Sequence, residues 1–206
     1  ADPGTKGISL FLVPKFLENE SDGTLTRNDV KMVGLNHKMG YRGSINGVLS
    51  FGESEPCIGY LVGAPHQGLK YMFLMMNEAR VGTGMSAVAV AYAGLRHAVE
   101  YARERPQGFK PGERDQSKPE VMIIEHADVR RMLLQQKSYI DVSLHLIGYC
   151  SLLMDQLHIA KRAQLAERAG VLDVERAFVR RVAKAWVAGY CIDANDLAIQ
   201  VLGGCG

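Results

Sequence analysis

Three short clusters of polar residues in this 206-residue chain have the types and spacing that could do chemistry. Asn77, Glu78 and Arg80 interrupt a Met-rich run. An arginine so placed must reach solvent along its stem or find a partner, because burying an unpaired guanidinium is costly. Snorkelling asks least of the sequence; a ligand-facing arginine stays open. Arg103, Glu104 and Arg105 stand just before Pro106 and Gly108, where cations suit the negative end of a helix dipole without any ligand. Glu125-His126-Ala127-Asp128 is the tightest group of titratable residues. Acids in a first helical turn are explained by the dipole alone, so no metal site is expected there.

Other signatures fail on context. Gly82-Thr83-Gly84-Met85-Ser86-Ala87 fits the dinucleotide pattern G-x-G-x-x-[GA]. That fingerprint works where the glycines leave a strand and open a helix, and here they lie inside a helical pattern. Close helix packing is the simpler account. The chain contains no G-x-S-x-G, H-E-x-x-H or Walker loop. Cys57, Cys150, Cys191 and Cys205 lack zinc spacing and read as reduced core or near-core thiols of a cytoplasmic protein.

The elements that must hold these residues are long helices. Leu69, Phe73, Met76, Thr83, Ala87, Val90, Gly94, Ala98 and Tyr101 recur at steps of three, four or seven, which predicts one helix over 68–108, roughly 60 Å long. Between Val81 and Leu95 nearly its whole circumference is small or apolar, as in a helix interior to a bundle. A charged loop, FKPGERDQSK, follows and reads as exposed. The second helix is expected from about Glu120 or His126 to Gln164, with a seam at Val129, Leu133, Gln136, Ile140, Ser143, Ile147, Cys150, Met154 and Leu157. Gly170 is expected to separate it from a third helix capped by Asp173, with a seam at Phe178, Val182, Ala185, Gly189, Ile192, Asp196 and Ile199 and a stop at Gly203-Gly204. The shared step of four and three favours near-parallel packing. A fourth helix is expected beyond Gly206.

The first 64 residues read as β structure. Ile8–Val13 has the size and punctuation of a strand buried on both faces. Asp22-Gly23 marks a turn, Val30, Met32 and Val33 a short strand, and Ser44–Phe51 a half-buried strand with Ile45, Gly47, Leu49 and Phe51 on one face. The fold class is mixed α and β: a partial β-domain over 1–64, then an incomplete long-helix bundle over 65–206. A formal net charge of +2 with 22% charged residues gives no argument for nucleic acid. The polar, Gly/Pro-containing ADPGTKG start suggests no signal peptide, and the uncharged run from Val81 to Leu95 is too short for a membrane span.

Six segments then occur in one order: GISLFLVPKFL, RNDVKMVGLNHKMGYRGSINGVLSFG, GYLVGAPHQGLKYMFLMMNEARVGTG, YARERPQG, IIEHADVRRML and AIQVLGGCG. In that order the chain resembles the second half of the acyl-CoA dehydrogenase family, and PKFL, MMNEAR and YARERPQG most resemble its long bacterial branch, which includes methylthiopropanoyl-CoA dehydrogenases. The resemblance implies FAD as cofactor, oxidation of an acyl-CoA to a trans-2-enoyl thioester, an electron-transferring flavoprotein as acceptor, and a homo-oligomer. It implies that Arg105, Pro106 and Gln107 match an R-x-[QT] segment reaching the FAD diphosphate of a neighbouring subunit, although Gly108-Phe109 stands where Phe-Gly is usual. His126 and Ala127 resemble the E-H-x segment near the same FAD. Gln200, Gly203 and Gly204 resemble Q-x-x-G-G on the adenine side. Asn77, Glu78 and Arg80 match a segment lining the acyl-CoA channel, usually Asp-x-x-Arg. The family's glutamate base belongs to a Y-E-G-T type motif after that turn, so no catalytic residue is assigned. The 206 residues are expected to be a fragment, inactive alone. The alternative is a non-catalytic scaffold derived from the family, used for oligomerisation or partner binding.

Overall fold

The structure, a computed structural model, describes residues 4–113, 115 and 117–206. The expectations for ADPGTKG at Ala1, Asp2 and Pro3, and for the charged loop at Arg114 and Gln116, lie outside the described residues. The chain forms two compact units, Ala1–Met75 and Met76–Gly206.

The first unit is built of three antiparallel strand pairs. β1 (Leu10–Leu12) pairs with β6 (Tyr60–Val62), β2 (Phe16–Glu18) with β3 (Leu25–Arg27), and β4 (Val30–Leu35) with β5 (Gly47–Phe51). Asp22-Gly23 does turn the chain: Asp22 Oδ1 accepts from the Thr24 backbone N–H, and Gly23 has φ of 67°. The hairpin it closes, β2–β3, carried no strand signal because each strand has only three residues, Phe16-Leu17-Glu18 and Leu25-Thr26-Arg27, too few for an alternation to register. Asn28, 1% exposed, ties the unit together. Its Nδ2 donates to the Pro14 and Ile58 carbonyls at 2.8 Å each, and its Oδ1 accepts the Ile58 N–H at 2.9 Å.

Two expectations fail here. Ile8–Val13 is not a strand buried on both faces: β1 covers three residues, has one partner strand, and leaves Phe11 and Leu12 exposed. Ser44–Phe51 narrows to β5, whose Leu49 and Phe51 are exposed. Alternation marks which residues share a face and says nothing of what lies against that face.

The second unit is a bundle of long helices. α1 (Gly68–Glu104) enters it from the first unit; α2 (Ala127–Arg162) and α3 (Ala166–Leu202) follow. α2 is preceded by a short 3-10 turn, Ile123–Glu125. On α2 the buried residues run Leu133, Gln136, Ile140, Ser143, Ile147, Cys150, Leu153, Leu157 and Ala160. That is the expected seam, with Leu153 in place of Met154.

The α1 seam is shifted in part, and the α3 seam lies elsewhere. α1 buries Gly84, Val88, Ala91, Ala98 and Ala102; Ala98 belongs to the expected stripe, the other four stand one position after its Thr83, Ala87, Val90 and Tyr101, and Met85, Val90 and Tyr92 are exposed. It is therefore not interior within these residues. α3 buries Leu172, Arg180, Ala183, Val187, Cys191, Ala194, Ala198 and Val201. The stripe expected there, from Phe178 to Ile199, lies on the opposite, exposed side of the helix. Both faces of α1 and α3 are small or apolar, so hydrophobic periodicity alone cannot choose between them. The turn between α2 and α3 also differs. Gln164 takes φ of 57° and Leu165 closes it with an N–H bond to the Ala160 carbonyl, while Gly170 sits inside α3.

Candidate functional site

One end of the bundle holds an open groove of about 510 Å³. Three elements supply its walls, and each is brought there by local chemistry. After α1 ends at Glu104, residues 105–108 run extended against 121–123. Ile123 N–H donates to the Arg105 carbonyl, Gln107 N–H to Val121, and Val121 N–H to Gly108, each at 2.9 Å. Extended backbone turns alternate side chains the same way, so Arg105 and Gln107 both face the groove while Pro106 does not line it.

The second wall is His126, at the entry to α2. Its Nε2 donates to the Gln107 carbonyl at 2.7 Å, since a carbonyl only accepts. That bond ties α2's first turn to the Arg105 strand. His126 makes no side-chain cap, so the first N–H groups of α2 keep their partial positive charge. Ala127, the first residue of α2, is exposed and not a wall of the groove.

The third wall is the end of α3. Gln200 is exposed on the last turn, and Gly203 leaves the helix at φ of 59°, a left-handed conformation that glycine adopts without strain. A Cβ on Gly203 or Gly204 would meet nothing within 4 Å, so a flat group has room to lie along this backbone. Arg105 and Gln107, His126, and Gln200, Gly203 and Gly204 thus meet around one groove. Tyr101 lines it too, one helical turn before Arg105; that i, i+4 spacing was the available signal for it. Cys205 is exposed there rather than in the core. Cys150 and Cys191 are buried, and burial raises their thiol pKa.

Asn77, Glu78 and Arg80 stand elsewhere on α1, some 25 residues or about 37 Å of helix before Arg105. Arg80 is half-buried and reaches Asn77 Oδ1 at 3.5 Å; Glu78 is exposed. The two groups of residues are separate stations on one bundle. Among the described residues, no three His, Cys, Asp or Glu side chains gather as for a metal ion. Among the described residues, no helix is long and apolar enough to cross a membrane.

The fold is one already seen in solved chains. Over 98% of its length the chain superposes on the Caenorhabditis elegans protein described as ACDH-11 in complex with C11-CoA, with a TM-score of 0.72 at 19% identity, covering 30% of that chain. Sequence carries the likeness further. The chain is 39% identical over its full length to a butyryl-CoA dehydrogenase of Syntrophomonas wolfei, and 34% identical to the 3-methylmercaptopropionyl-CoA dehydrogenase of Ruegeria pomeroyi. No family model matches it. The chain belongs to the acyl-CoA dehydrogenase family, and it spans about a third of the length of these relatives, 34% of each.

Proposed function

We propose that these residues are the part of an FAD-dependent acyl-CoA dehydrogenase that holds the nucleotide end of the flavin and one stretch of the acyl channel. In this reading 1–64 belong to a middle β-domain and 65–206 to a C-terminal helical domain. The single observation that carries it is the groove, where Arg105, Gln107, His126, Gln200, Gly203 and Gly204 converge from three elements.

The groove suits an adenosine diphosphate tail. Its volume lies within the range of small-molecule sites, its glycine floor is open, and its cation and free helix start offer charge to a diphosphate. Arg105 supplies the positive charge, with the α2 N-terminus beside it. His126 holds the Arg105–Gln107 segment in place through the Gln107 carbonyl. Gln200, Gly203 and Gly204 border the adenine. The ends of α1 and α3 present carbonyls, which repel phosphate, so the diphosphate belongs on the Arg105 and α2 side. Bound FAD supplies acceptance of the hydride leaving the β-carbon of an acyl-CoA. At the other station Arg80, steadied by Asn77, borders the acyl group. Electron-transferring flavoprotein is the acceptor that the family resemblance implies.

The test uses the full-length protein that contains this chain. It is expected to be yellow and to bleach when butyryl-CoA is added without oxygen. Arg105→Ala is expected to weaken FAD retention about 10- to 100-fold, the worth of one charge-assisted hydrogen bond, without unfolding the bundle. A full-length protein that stays colourless after FAD reconstitution defeats the reading and leaves a scaffold role in its place.

A further inference from the structure

Away from the groove, α3 carries a buried cation that nothing above uses. A Cβ on Gly84 would stand 3.7 Å from the Ala183 carbonyl, and one on Gly94 would stand 2.3 Å from Asn195 Oδ1 and 3.6 Å from the Ala198 Cβ. α1 and α3 therefore run in the same direction, side by side. One turn before the Gly84 contact, Arg80 comes level with the Val179–Arg180 step of α3.

Arg180 is only 7% exposed. Its Nε meets no hydrogen-bond acceptor, and no carboxylate among the described residues lies within ion-pair distance of it. The carboxylates nearest on α3 are engaged: Asp173 binds Arg176 at 2.5 Å, and Glu175 accepts from the Tyr149 hydroxyl. Arg176 Nε is likewise buried and without an acceptor. Burial first, then the charges of Arg176, Arg80 and Arg181, push the Arg180 guanidinium below its ordinary pKa. A buried cation among cations is costly, and proteins that keep one give it an anion. A guanidinium edge with Nε free matches the two oxygens of a carboxylate.

We propose that Arg180 receives a carboxylate at the α1–α3 seam. Two sources share that chemistry: an acidic side chain from protein outside these residues, or a second carboxylate at the far end of an acyl-CoA. The latter rests on the reading of Asn77–Arg80 as channel lining.

Two measurements on the full-length protein separate these. The first is the thermal midpoint of Arg180→Met, which keeps the stem and removes the charge, against Arg180→Lys, which keeps the charge. The second is the ratio of dissociation constants for glutaryl-CoA and butyryl-CoA. If the protein supplies the carboxylate, Arg180→Met lowers the midpoint by several degrees and Arg180→Lys recovers much of the loss. If the substrate supplies it, Arg180→Met leaves the midpoint unchanged or higher and weakens glutaryl-CoA about tenfold or more relative to butyryl-CoA. The proposal is overturned by a midpoint that falls equally in both variants. It is also overturned by one that does not fall while the ratio stays unmoved. That flat result in a yellow, bleachable protein leaves the flavoenzyme reading standing. A colourless protein defeats that reading, and the midpoints still decide about Arg180.

Discussion

At the scale of single residues, two buried amides make opposite cases. Asn28 satisfies its side chain with three bonds to Pro14 and Ile58. Asn28→Leu strips partners from two carbonyls and one N–H at once, and is expected to cost about 2–4 kcal/mol, read as a lower unfolding midpoint. Gln136 is wholly buried in the α2 seam, with neither Nε2 nor Oε1 bonded. Gln136→Leu keeps the volume and removes both orphans, so a gain of about 1–3 kcal/mol is expected. A loss instead would mean that an ordered water serves the amide. Asp29 sets a pH dependence. The backbone N–H groups of Glu55 and Ser54, then Lys31, hold its carboxyl down to about 2. Because the unfolded chain takes up a proton nearer pH 3.9, the contribution is complete above about pH 4 and is lost as pH falls toward 2. The urea midpoint of the full-length protein should fall across that window, and Asp29→Asn should flatten this part of the profile.

At the scale of elements, the two glycines of the apparent dinucleotide motif separate a helix seam from a nucleotide loop. Gly82 is exposed with open space at its Cβ position, whereas a Cβ on Gly84 would stand 2.6 Å from Ile147 Cδ1. Gly82→Ala should stabilise α1 by about 0.5–1 kcal/mol. Gly84→Val should cost about 1–3 kcal/mol through overpacking. Equal effects of the two would contradict the seam, and unfolding midpoints of the two variants decide it. The same contrast shows how far the sequence could be read. The α2 seam was legible because polar residues flank it, so its apolar steps stand out. The α1 seam is legible only in part and the α3 seam not at all, because their helices are small or apolar on two sides. Arg180 carries no signal for the same reason, since periodicity cannot tell which of two small or apolar faces of α3 is buried. The Arg105, His126 and Gln200 groups were found through family resemblance and not through spacing; they are distant in sequence, and only the 105–108 strand against 121–123 and the closing turn of α3 bring them together.

At the scale of the molecule, the open face of α3 has its own meaning. Phe178 is 71% exposed and Ile192 62%, and Val171, Val174 and Ile199 follow the same side. The α1 residues Met85, Val90 and Tyr92 are open as well. Water-facing apolar stripes of this length belong to surfaces that something else covers, and the 3.5-residue step of the α3 stripe suits a helix lying nearly parallel to it. Since the relatives are about three times as long as this chain, their further length is enough to provide such cover. The 206 residues expressed alone are therefore expected to self-associate, and Phe178→Glu with Ile192→Lys should shift them toward monomer in sedimentation velocity. The same pair of substitutions in the full-length protein should do the reverse of help. Two charges placed in a covered seam lower its unfolding free energy by about 3–5 kcal/mol, by analogy with an uncompensated buried charge, read as a lower unfolding midpoint. A full-length protein indifferent to both substitutions would mean that the stripe stays bare in the intact molecule.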